Sequence, residues 1–260
     1  MTEPSGNAQP DLKITADGSH TLYSRRYHQT YHSPSGAVTE SRHVFFEKSG
    51  LLDRLKTDQP LTLFETGFGT GLNFLLLLDY YQQFNCSSEI RYHSVEANPI
   101  SATQVQKLNY ADQIQHSDTF DHLVDLFEKL KGGDNQFHPL PGVKLQLYVG
   151  YFDDYDPDET VVDMVFHDPF SPEVNPELWT ETVFAKLRAM SRPTAMLTTY
   201  CAASGARAAM AAAGWKVARE EGAPGKREMT LASPDAGRLG DLERVNEERL
   251  VRRYRNGEFG

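Results

Sequence analysis

Apolar residues in this chain form short runs that give way abruptly to glycine-rich or polar segments. The clearest run, residues 61–64, has the length and boundaries typical of a buried strand, and Glu65 closes it. Residues 72–84 are rich in Leu and Phe and predict a helix that faces a core. Between the predicted strand and helix lie three alternating glycines, Gly67, Gly69 and Gly71.

Downstream, predicted strands alternate with predicted helices. The predicted strands span residues 90–96, 144–149, 161–166, 195–199, 215–218 and 228–232, and the predicted helices span 119–131, 180–190 and 204–213. Another helix is predicted to start at Asn98-Pro99, with Asn98 as its cap. Residues 132–142 contain several Gly and Pro residues and predict an exposed loop. The alternation predicts an open α/β sheet with helices on both faces.

The two ends of the chain depart from this pattern. Residues 1–16 are polar and aperiodic and are predicted to fray, while 21–31 predict a hairpin or a covering segment. Apolar positions between 39 and 55 have helical spacing that breaks at Gly50, which predicts two short helices. We therefore predict an N-terminal extension (1–58), a core (59–234) and a charged C-terminal tail (235–260).

Composition narrows the range of functions. The 260 residues carry a formal net charge of −10, which repels a polyanion at long range, so a nucleic-acid partner would need a local basic face. The two cysteines are too few for a disulfide framework, and the nine histidines show no metal-ligand spacing, so no metal is expected. The sequence shows no membrane-spanning run and no secretory signal. These features predict a cytoplasmic protein without a membrane partner.

The glycine turn predicts a nucleotide-like ligand, because backbone without side chains approaches a ligand closely and tolerates positive φ. Its Gly-x-Gly-x-Gly spacing is neither the dehydrogenase Gly-x-Gly-x-x-Gly nor a P-loop. Glu96 ends the second predicted strand, where a carboxylate can accept both ribose hydroxyls of an adenosine ligand. The alternatives are a plain strand-to-helix turn and an exposed strand-end glutamate.

A second signal follows the fourth predicted strand. Here Asp168-Pro-Phe resembles the Asp/Asn-Pro-Pro-Tyr/Phe loop of methyltransferases that act on amines, at the strand end where open α/β sheets bind ligands. An alkyl amine has a pKa of roughly 10, so only about one molecule in a thousand is unprotonated near pH 7. A carboxylate and a backbone carbonyl can orient the amine lone pair and accept its proton. Asp168 is therefore the catalytic candidate and Phe170 the candidate for stacking on a base. The alternative is an Asx-Pro turn that caps the strand.

Two other positions have open readings. His167 either contacts the cofactor or fills the strand end. After the third predicted strand, Asp153 or Asp154 either holds an adenine amino group or is a surface charge.

Together these segments resemble the methyltransferase module of the tRNA-modifying MnmC proteins. The most specific matches are Gly-Phe-Gly-Thr-Gly-Leu-Asn-Phe at 67–74 and Asn-Pro-Glu-Leu-Trp at 175–179. Other matching stretches are 17–24, 31–33, 39–45, 168–172, 197–200 and 225–229, so the resemblance covers nearly the whole chain up to about residue 232. It implies a Rossmann-like class I S-adenosylmethionine-dependent methyltransferase fold, an α/β fold with a mostly parallel seven-stranded sheet and helices on both faces.

The resemblance also implies a reaction and a set of site residues. The reaction is methylation of the 5-aminomethyl group of a wobble uridine, with or without a 2-thio group, and Asp168 is implied to lie near the amine. Around the cofactor it implies Glu40, Glu65, Gly67, Phe68, Gly69, Gly71, Asn73 and Glu96. Two positions depart from the family pattern: Gly150-Tyr151 replaces the usual Gly-Asp, and His167 replaces a small residue.

The implied partner is the anticodon region of tRNA. The candidate contacts are Arg25, Arg26, Arg42, Lys226 and Arg227, and phosphate binding through them would depend strongly on salt. We expect no counterpart of the flavin-dependent oxidase half of the fused proteins, and therefore S-adenosylmethionine as cofactor without FAD and, as a partner, a separate oxidase or the enzyme that supplies the aminomethyl group. The alternatives are an N-methyltransferase for a small amine or a protein, and a non-catalytic cofactor-binding module that holds RNA or protein.

Overall fold

The strands in the described part of the chain form one large sheet and one small sheet. The computed structural model describes residues 10–259. Its strands are β1 (Asp11–Ile14), β2 (His20–Ser24), β3 (Gln29–Thr30), β4 (Leu61–Thr66), β5 (Ile90–Glu96), β6 (Gly133–Leu140), β7 (Val143–Val149), β8 (Val162–His167), β9 (Ser191–Thr199), β10 (Lys216–Glu221), β11 (Glu228–Ser233) and β12 (Glu243–Arg244). Its α-helices are α1 (Ala37–Ser41), α2 (Leu51–Lys56), α3 (Leu72–Gln83), α4 (Ala102–Val105), α5 (Thr119–Lys129), α6 (Glu181–Ala189), α7 (Ser204–Ala212) and α8 (Glu247–Arg255). A π-helical segment (Arg42–Glu47) continues α1, and 3-10 turns span Tyr110–Gln113, Pro176–Trp179 and Ala236–Leu239.

The large sheet has the strand order β12-β10-β11-β9-β8-β4-β5-β7-β6. Neighbours from β7 to β9 are parallel, whereas β11 is antiparallel to both β9 and β10. The prediction of a mostly parallel, Rossmann-like α/β sheet is therefore confirmed, with β10, β11, β9, β8, β4, β5 and β7 as its seven strands. Strands β12 and β6 extend this sheet by one antiparallel strand at each edge.

Strand β6 shows that the prediction of an exposed loop over residues 132–142 is wrong. The strand pairs antiparallel with β7, and its turn contains Gly142 at a φ of 85°. Half-buried and exposed positions alternate along the first six residues of β6, as expected for an edge strand with one solvated face. Pro139 lies where the register shifts between Phe137 and Leu140, a position that tolerates a missing backbone N–H. The Gly and Pro residues thus fit the turn and the irregularity of an edge strand.

Two hydrophobic clusters cover the two faces of the large sheet. Adjacent residues of β4 divide between them, Leu63 belonging to one cluster and Phe64 to the other, because successive side chains of a strand point to opposite faces. Helix α3 lies in the first cluster, and nine of its twelve residues are buried, which is typical of a helix enclosed on several sides. This burial fixes the start of α3, where the glycine turn ends.

The N-terminal region is more ordered than its polar sequence predicts. Residues 11–14 form β1, so the prediction that they fray is wrong, and residues 1–9 lie outside the described part of the chain. The hairpin prediction is confirmed by β2 and β3, and the predicted pair of helices that break at Gly50 is also confirmed. Helix α4 begins at Ala102 and not at Asn98, because Ser101 and Gln104 form a capping box.

The segment predicted as a charged tail folds onto the core. Strand β12 pairs with β10, and α8 packs along α7. The Glu181 backbone N–H donates to the Tyr254 hydroxyl at 3.2 Å, and Arg255 forms an ion pair with the Glu181 carboxylate at 2.6 Å. Within residues 10–259, no helix is long and apolar enough to cross a bilayer.

Candidate functional site

A cleft that is partly open to solvent lies at the carboxyl ends of β4, β5, β7 and β8. In the strand order, β4 stands between β5 and β8, so the cleft lies where the direction of sheet winding reverses. The loops that follow these strands supply one part of the lining, and the N-terminal hairpin supplies another. The hairpin residues are Arg26, Tyr27, Tyr31 and His32.

The glycine turn brings bare backbone to the cleft. Gly67 has a φ of 86°, and a Cβ there would lie 3.2 Å from the Asp168 carbonyl oxygen and 3.3 Å from the Cα atom of Pro169. Gly71, with a φ of 75°, caps α3, and a Cβ there would lie 2.6 Å from the Leu123 side chain. The first glycine thus lets two loops touch, and the last lets helix α3 begin against the core.

Glu96 anchors the middle of this turn. Its carboxylate accepts the Gly69 backbone N–H at 2.9 Å and the Asn98 backbone N–H at 2.8 Å. Burial raises the pKa of the Glu96 carboxyl above its usual value, and these two hydrogen bonds oppose the shift. The residue therefore lies at the ligand side of the sheet and also fixes the shape of the glycine turn.

Asp168 belongs to a buried hydrogen-bonded chain. The Asn73 side-chain amide donates to Glu65 Oε1 at 2.8 Å and to Asp168 Oδ2 at 3.0 Å. The Asp168 backbone N–H donates to the Thr66 carbonyl at 3.1 Å, which holds the loop after β8 against the end of β4. Asp168 lies 95 residues after Asn73 in the sequence, and the neighbouring positions of β4 and β8 bring the two together.

The charges around Asp168 favour uptake of a proton. Burial raises the pKa of the Asp168 carboxyl well above its usual value, and the carboxyls of Glu65 and Glu40 raise it further, while the Asn73 hydrogen bond and the Lys226 ammonium lower it. Burial also raises the pKa of Glu65, to about 8. A carboxyl of raised pKa is a better proton acceptor than an exposed aspartate when it is ionised.

Phe170 lies in an aromatic cluster at the cleft. Its ring stacks on Tyr27 with a centroid separation of 4.4 Å and meets the edge of Tyr31 at 5.0 Å. The Arg26 guanidinium lies 5.6 Å from the centroid of the Tyr27 ring and donates to Asn98 Oδ1 at 2.7 Å. The hairpin tip therefore touches both the loop after β5 and the loop after β8.

The cleft brings together only some of the predicted cofactor residues. Those that line it are Gly67, Phe68, Gly69, Asn73, Glu96 and Asp153. Glu65 and Gly71 lie behind this lining, and Glu40 accepts the Ser33 backbone N–H at 2.9 Å. His167 packs against the rings of Trp179 and Phe184, and burial lowers its pKa to about 3.

The predicted tRNA contacts are spread over the surface. Arg26 lines the cleft, whereas Arg25 points to Asp11 and pairs with its carboxylate at 2.9 Å. Arg42 donates to the Gln113 carbonyl at 2.6 Å. The Lys226 ammonium lies 2.5 Å from Glu40 Oε1 and 4.2 Å from the centre of the Tyr200 ring, while the side chain of Arg227 is 94% exposed.

Sequence reasoning missed several residues that shape the site. Tyr27, Tyr31 and His32 line the cleft, and Tyr200 and Trp179 hold the loop after β8 by hydrogen bonds to its carbonyls. The repeated tyrosines of the predicted hairpin are the signal that could have found them, because tyrosine combines an apolar ring with a polar hydroxyl and is enriched at binding interfaces. Within residues 10–259, no group of three His, Cys, Asp or Glu side chains is placed to hold a metal ion.

Comparison with known proteins gives the family. A family model described as S-adenosyl-L-methionine-dependent methyltransferase matches residues 115–235. The chain is 34% identical over 225 residues, 81% of its length, to the tRNA 5-methylaminomethyl-2-thiouridine biosynthesis bifunctional protein MnmC of Ectopseudomonas mendocina, and 33% identical over 247 residues, 89% of its length, to the protein of the same name from Cupriavidus metallidurans. The chain belongs to the MnmC methyltransferase-domain family. It spans about a third of these MnmC relatives, 33% and 34% of their lengths.

The MnmC-family fold is also seen in a solved structure. The crystal structure of MNMC2 from Aquifex aeolicus aligns with a TM-score of 0.73 at 24% identity, over 97% of this chain and 76% of that one. The resemblance drawn from the glycine turn and the 175–179 segment is therefore confirmed at the level of family and fold.

The residues of the cleft fit the cofactor that the family description names. Gly67 and Gly69 offer backbone without side chains, as close approach of a ligand requires. Two polar atoms of the lining, Thr66 Oγ1 and Asn73 Oδ1, are buried and have no hydrogen-bond partner among the described residues, so a polar ligand would satisfy them. We assign the cofactor to this cleft.

Proposed function

We propose that this chain is an N-methyltransferase that converts the 5-aminomethyl group of a tRNA wobble uridine into 5-methylaminomethyl, with S-adenosylmethionine as the methyl donor. The observation that carries the proposal is the contact between the glycine turn and the Asp168 loop at Gly67, which puts a carboxylate of raised pKa beside a backbone cradle. The names of the MnmC relatives contain the product nucleoside, 5-methylaminomethyl-2-thiouridine.

The proposed cofactor contacts are those of the cleft lining. Gly67 to Gly69 would approach the cofactor through backbone, Glu96 would accept the ribose hydroxyls, and Asp153 would face the adenine. When bound, S-adenosylmethionine supplies an electrophilic methyl group on a sulfonium centre. The protein then has to align the acceptor amine with this methyl group and to remove a proton from the amine.

Asp168 is the proposed catalytic residue. Its carboxylate would attract the incoming alkylammonium, accept one proton from it and leave a lone pair on nitrogen directed at the methyl group. A nitrogen–carbon bond would form as the sulfur–carbon bond broke, the methylated nitrogen would leave as a secondary ammonium with its two remaining protons, and Asp168 would pass the single proton it had accepted to solvent. Phe170, already in an aromatic cluster with Tyr27, would contact the uracil ring.

The tRNA partner remains compatible with the net charge of −10 only if basic groups gather at the cleft mouth. Arg26 at the hairpin tip and the exposed Arg227 are the proposed phosphate contacts. Methyl transfer needs a free primary amine, so an upstream enzyme, an oxidase or the enzyme that installs the aminomethyl group, must act first. We expect this protein and the upstream enzyme to act on tRNA in the cytoplasm.

The deciding experiment compares acceptors. Purified protein is incubated with methyl-labelled S-adenosylmethionine and tRNA from cells that lack the protein, and wobble nucleosides are analysed by mass spectrometry. We expect conversion of the aminomethyl nucleoside to its methylaminomethyl form, and no labelling of free alkyl amines. Labelling of small amines or of a protein in place of tRNA would establish the rival enzyme, and cofactor binding without any transfer would establish a binding module.

A further inference from the structure

In the loop that carries Asp168, the backbone carbonyls are already hydrogen-bonded or packed, so they are poor acceptors for an amine. The Pro169 carbonyl accepts the Tyr200 hydroxyl at 2.8 Å, and the Phe170 carbonyl accepts the Trp179 indole N–H at 2.8 Å. The Asp168 carbonyl lies against Gly67. A neutral primary amine has two N–H donors, and both need acceptors if its lone pair is to point in one direction. Asp168 provides one acceptor, so a second must come from elsewhere.

Asn73 has an acceptor of the required kind. Asn73 is a lining residue of the cleft, and its amide NH₂ group donates to two carboxyls, Glu65 at 2.8 Å and Asp168 at 3.0 Å. Its Oδ1 atom is buried and has no hydrogen-bond partner among the described residues. A buried acceptor without a partner is costly in a folded protein, and a ligand donor is one way to satisfy it.

Glu65 determines which way this amide points. It is 1% exposed and lies outside the cleft lining, so it does not reach a ligand there directly. If the Asn73 amide turned over, its oxygen would face both the Glu65 and Asp168 carboxyls, and this is repulsive when Asp168 is ionised, as it must be to accept the amine proton. Glu65 therefore holds the NH₂ group inward between the carboxyls and leaves Oδ1 as the free end of the amide.

We propose that Asn73 Oδ1 is the second hydrogen-bond acceptor for a primary amine in the cleft, and that Glu65 is the positioning residue that orients it. The inference rests on the proposed methyltransferase function. It assigns Asn73 to the acceptor amine, where the sequence had placed it around the cofactor, and it gives Glu65 no direct contact with a ligand. An amine N–H could come from two sources, the substrate amine or the α-amino group of the cofactor, and a test must separate them.

Two cofactor analogues make that separation. Sinefungin carries a primary amine on the carbon that replaces the methyl-bearing sulfur, whereas S-adenosylhomocysteine has no group at that position, and both carry the same α-amino group. Titration calorimetry with each analogue gives the ratio of the two Kd values. We expect the parent protein to bind sinefungin more tightly, and Asn73→Ala to reduce this preference by about tenfold, the loss of one hydrogen bond to a charged donor.

The control variant is Asn98→Ala, which alters an asparagine of the same cleft at the end of β5. It is expected to change both Kd values by the same factor and to leave their ratio intact. If Asn73→Ala also weakens both analogues equally, Asn73 contacts the α-amino group and the proposal is overturned. If the parent protein binds neither analogue, the proposed function itself fails, and this inference fails with it.

Glu65→Gln tests the positioning role without removing volume. A glutamine can donate to a turned amide, so it should let Asn73 Oδ1 leave the cleft, and the preference for sinefungin should fall although Asn73 is intact. Thermal unfolding of the variant confirms that it is folded. An unchanged Kd ratio in folded Glu65→Gln would show that Glu65 does not orient the amide.

Discussion

The two walls of the cleft are built from different chemical groups. The backbone wall, Gly67 to Gly69 with the Glu96 carboxylate hydrogen-bonded to it, presents mainly peptide groups, whose charge state does not change with pH. The acid wall, Asp168 to Phe170, has carbonyls that are satisfied or packed, and it presents a carboxyl and a ring. The first wall suits a cofactor that must be gripped in one shape. The second suits a substrate that must lose a proton.

The walls meet at a single glycine. The position of a Cβ on Gly67 falls 3.2 Å from the Asp168 carbonyl oxygen, so a change in the backbone wall is transmitted directly to the acid wall. The comparison therefore predicts variants that damage one wall alone and variants that damage both.

Asp168→Asn should damage the acid wall alone and have the largest effect. The amide cannot accept the amine proton as a carboxylate does, so methyl transfer to tRNA should fall by about 10²–10⁴-fold, measured by labelled methyl incorporation. Binding of S-adenosylhomocysteine should persist. The control is Asp163→Asn, at the opposite end of β8, which should retain methyl transfer. Equal activity of the two variants would remove Asp168 from the reaction.

Gly67→Ala should damage both walls. An L-residue at this φ of 86° costs about 1–2 kcal/mol by itself, and the added methyl group also presses on the Asp168 loop. We expect weaker S-adenosylhomocysteine binding together with at least about tenfold slower transfer.

Gly214→Ala is the control that separates the effect of backbone strain from the effect of the contact between residue 67 and the Asp168 loop. Gly214 has a similar φ of 89°, but no atom lies within 4 Å of its Cβ position. Urea unfolding should show a loss of stability for both variants, while only Gly67→Ala loses activity. Loss of activity in both would mean that strain alone, and not the contact between walls, explains the effect.

Glu65→Gln should change the pH dependence of the acid wall. The groups that face Asp168 are Glu65, Glu40, Tyr92, Tyr200 and Lys226. The negative charge of Glu65 raises the pKa of Asp168 by more than the Asn73 hydrogen bond lowers it, so removal of the charge should lower that pKa even if the Asn73 amide turns over. The acid limb of the kcat/KM profile should therefore move to lower pH, measured with labelled methyl transfer. A limb that stays in place would show that Glu65 does not influence the proton affinity of Asp168.

His167→Phe should leave both walls intact and change only stability. The imidazole is fully buried among aromatic rings with its pKa lowered to about 3, against about 6.5 when unfolded. The unfolded chain therefore takes up this proton first as pH falls, and His167 should cost the folded state about 2 kcal/mol between pH 7 and pH 5. Between pH 7 and pH 5, the free energy of unfolding measured in urea should therefore fall by about 2 kcal/mol less for His167→Phe than for the parent protein. Equal losses in both proteins would show that His167 does not titrate on unfolding.

Much of the fold followed from local pattern. The apolar run at 61–64 and the Leu-rich run after Gly71 predicted β4 and α3, because burial on both faces leaves near-continuous apolar stretches. The prediction of a loop at 132–142 was wrong because β6 is not buried on both faces. An edge strand is half exposed and tolerates Pro139, so its sequence resembles that of a loop.

The sequence by itself determined the class of the protein. Three spaced glycines after an acidic strand end indicate a nucleotide-like cofactor, and Asp-Pro-Phe after a later strand indicates transfer to an amine. Tertiary structure alone decided how these chemistries are connected. Parallel pairing of β4 with β8 brings Glu65, Asn73 and Asp168 into one hydrogen-bonded chain, and a hairpin more than thirty residues before the glycine turn supplies Tyr27 to Phe170. Such contacts depend on which strands become neighbours, and no local propensity carries that information.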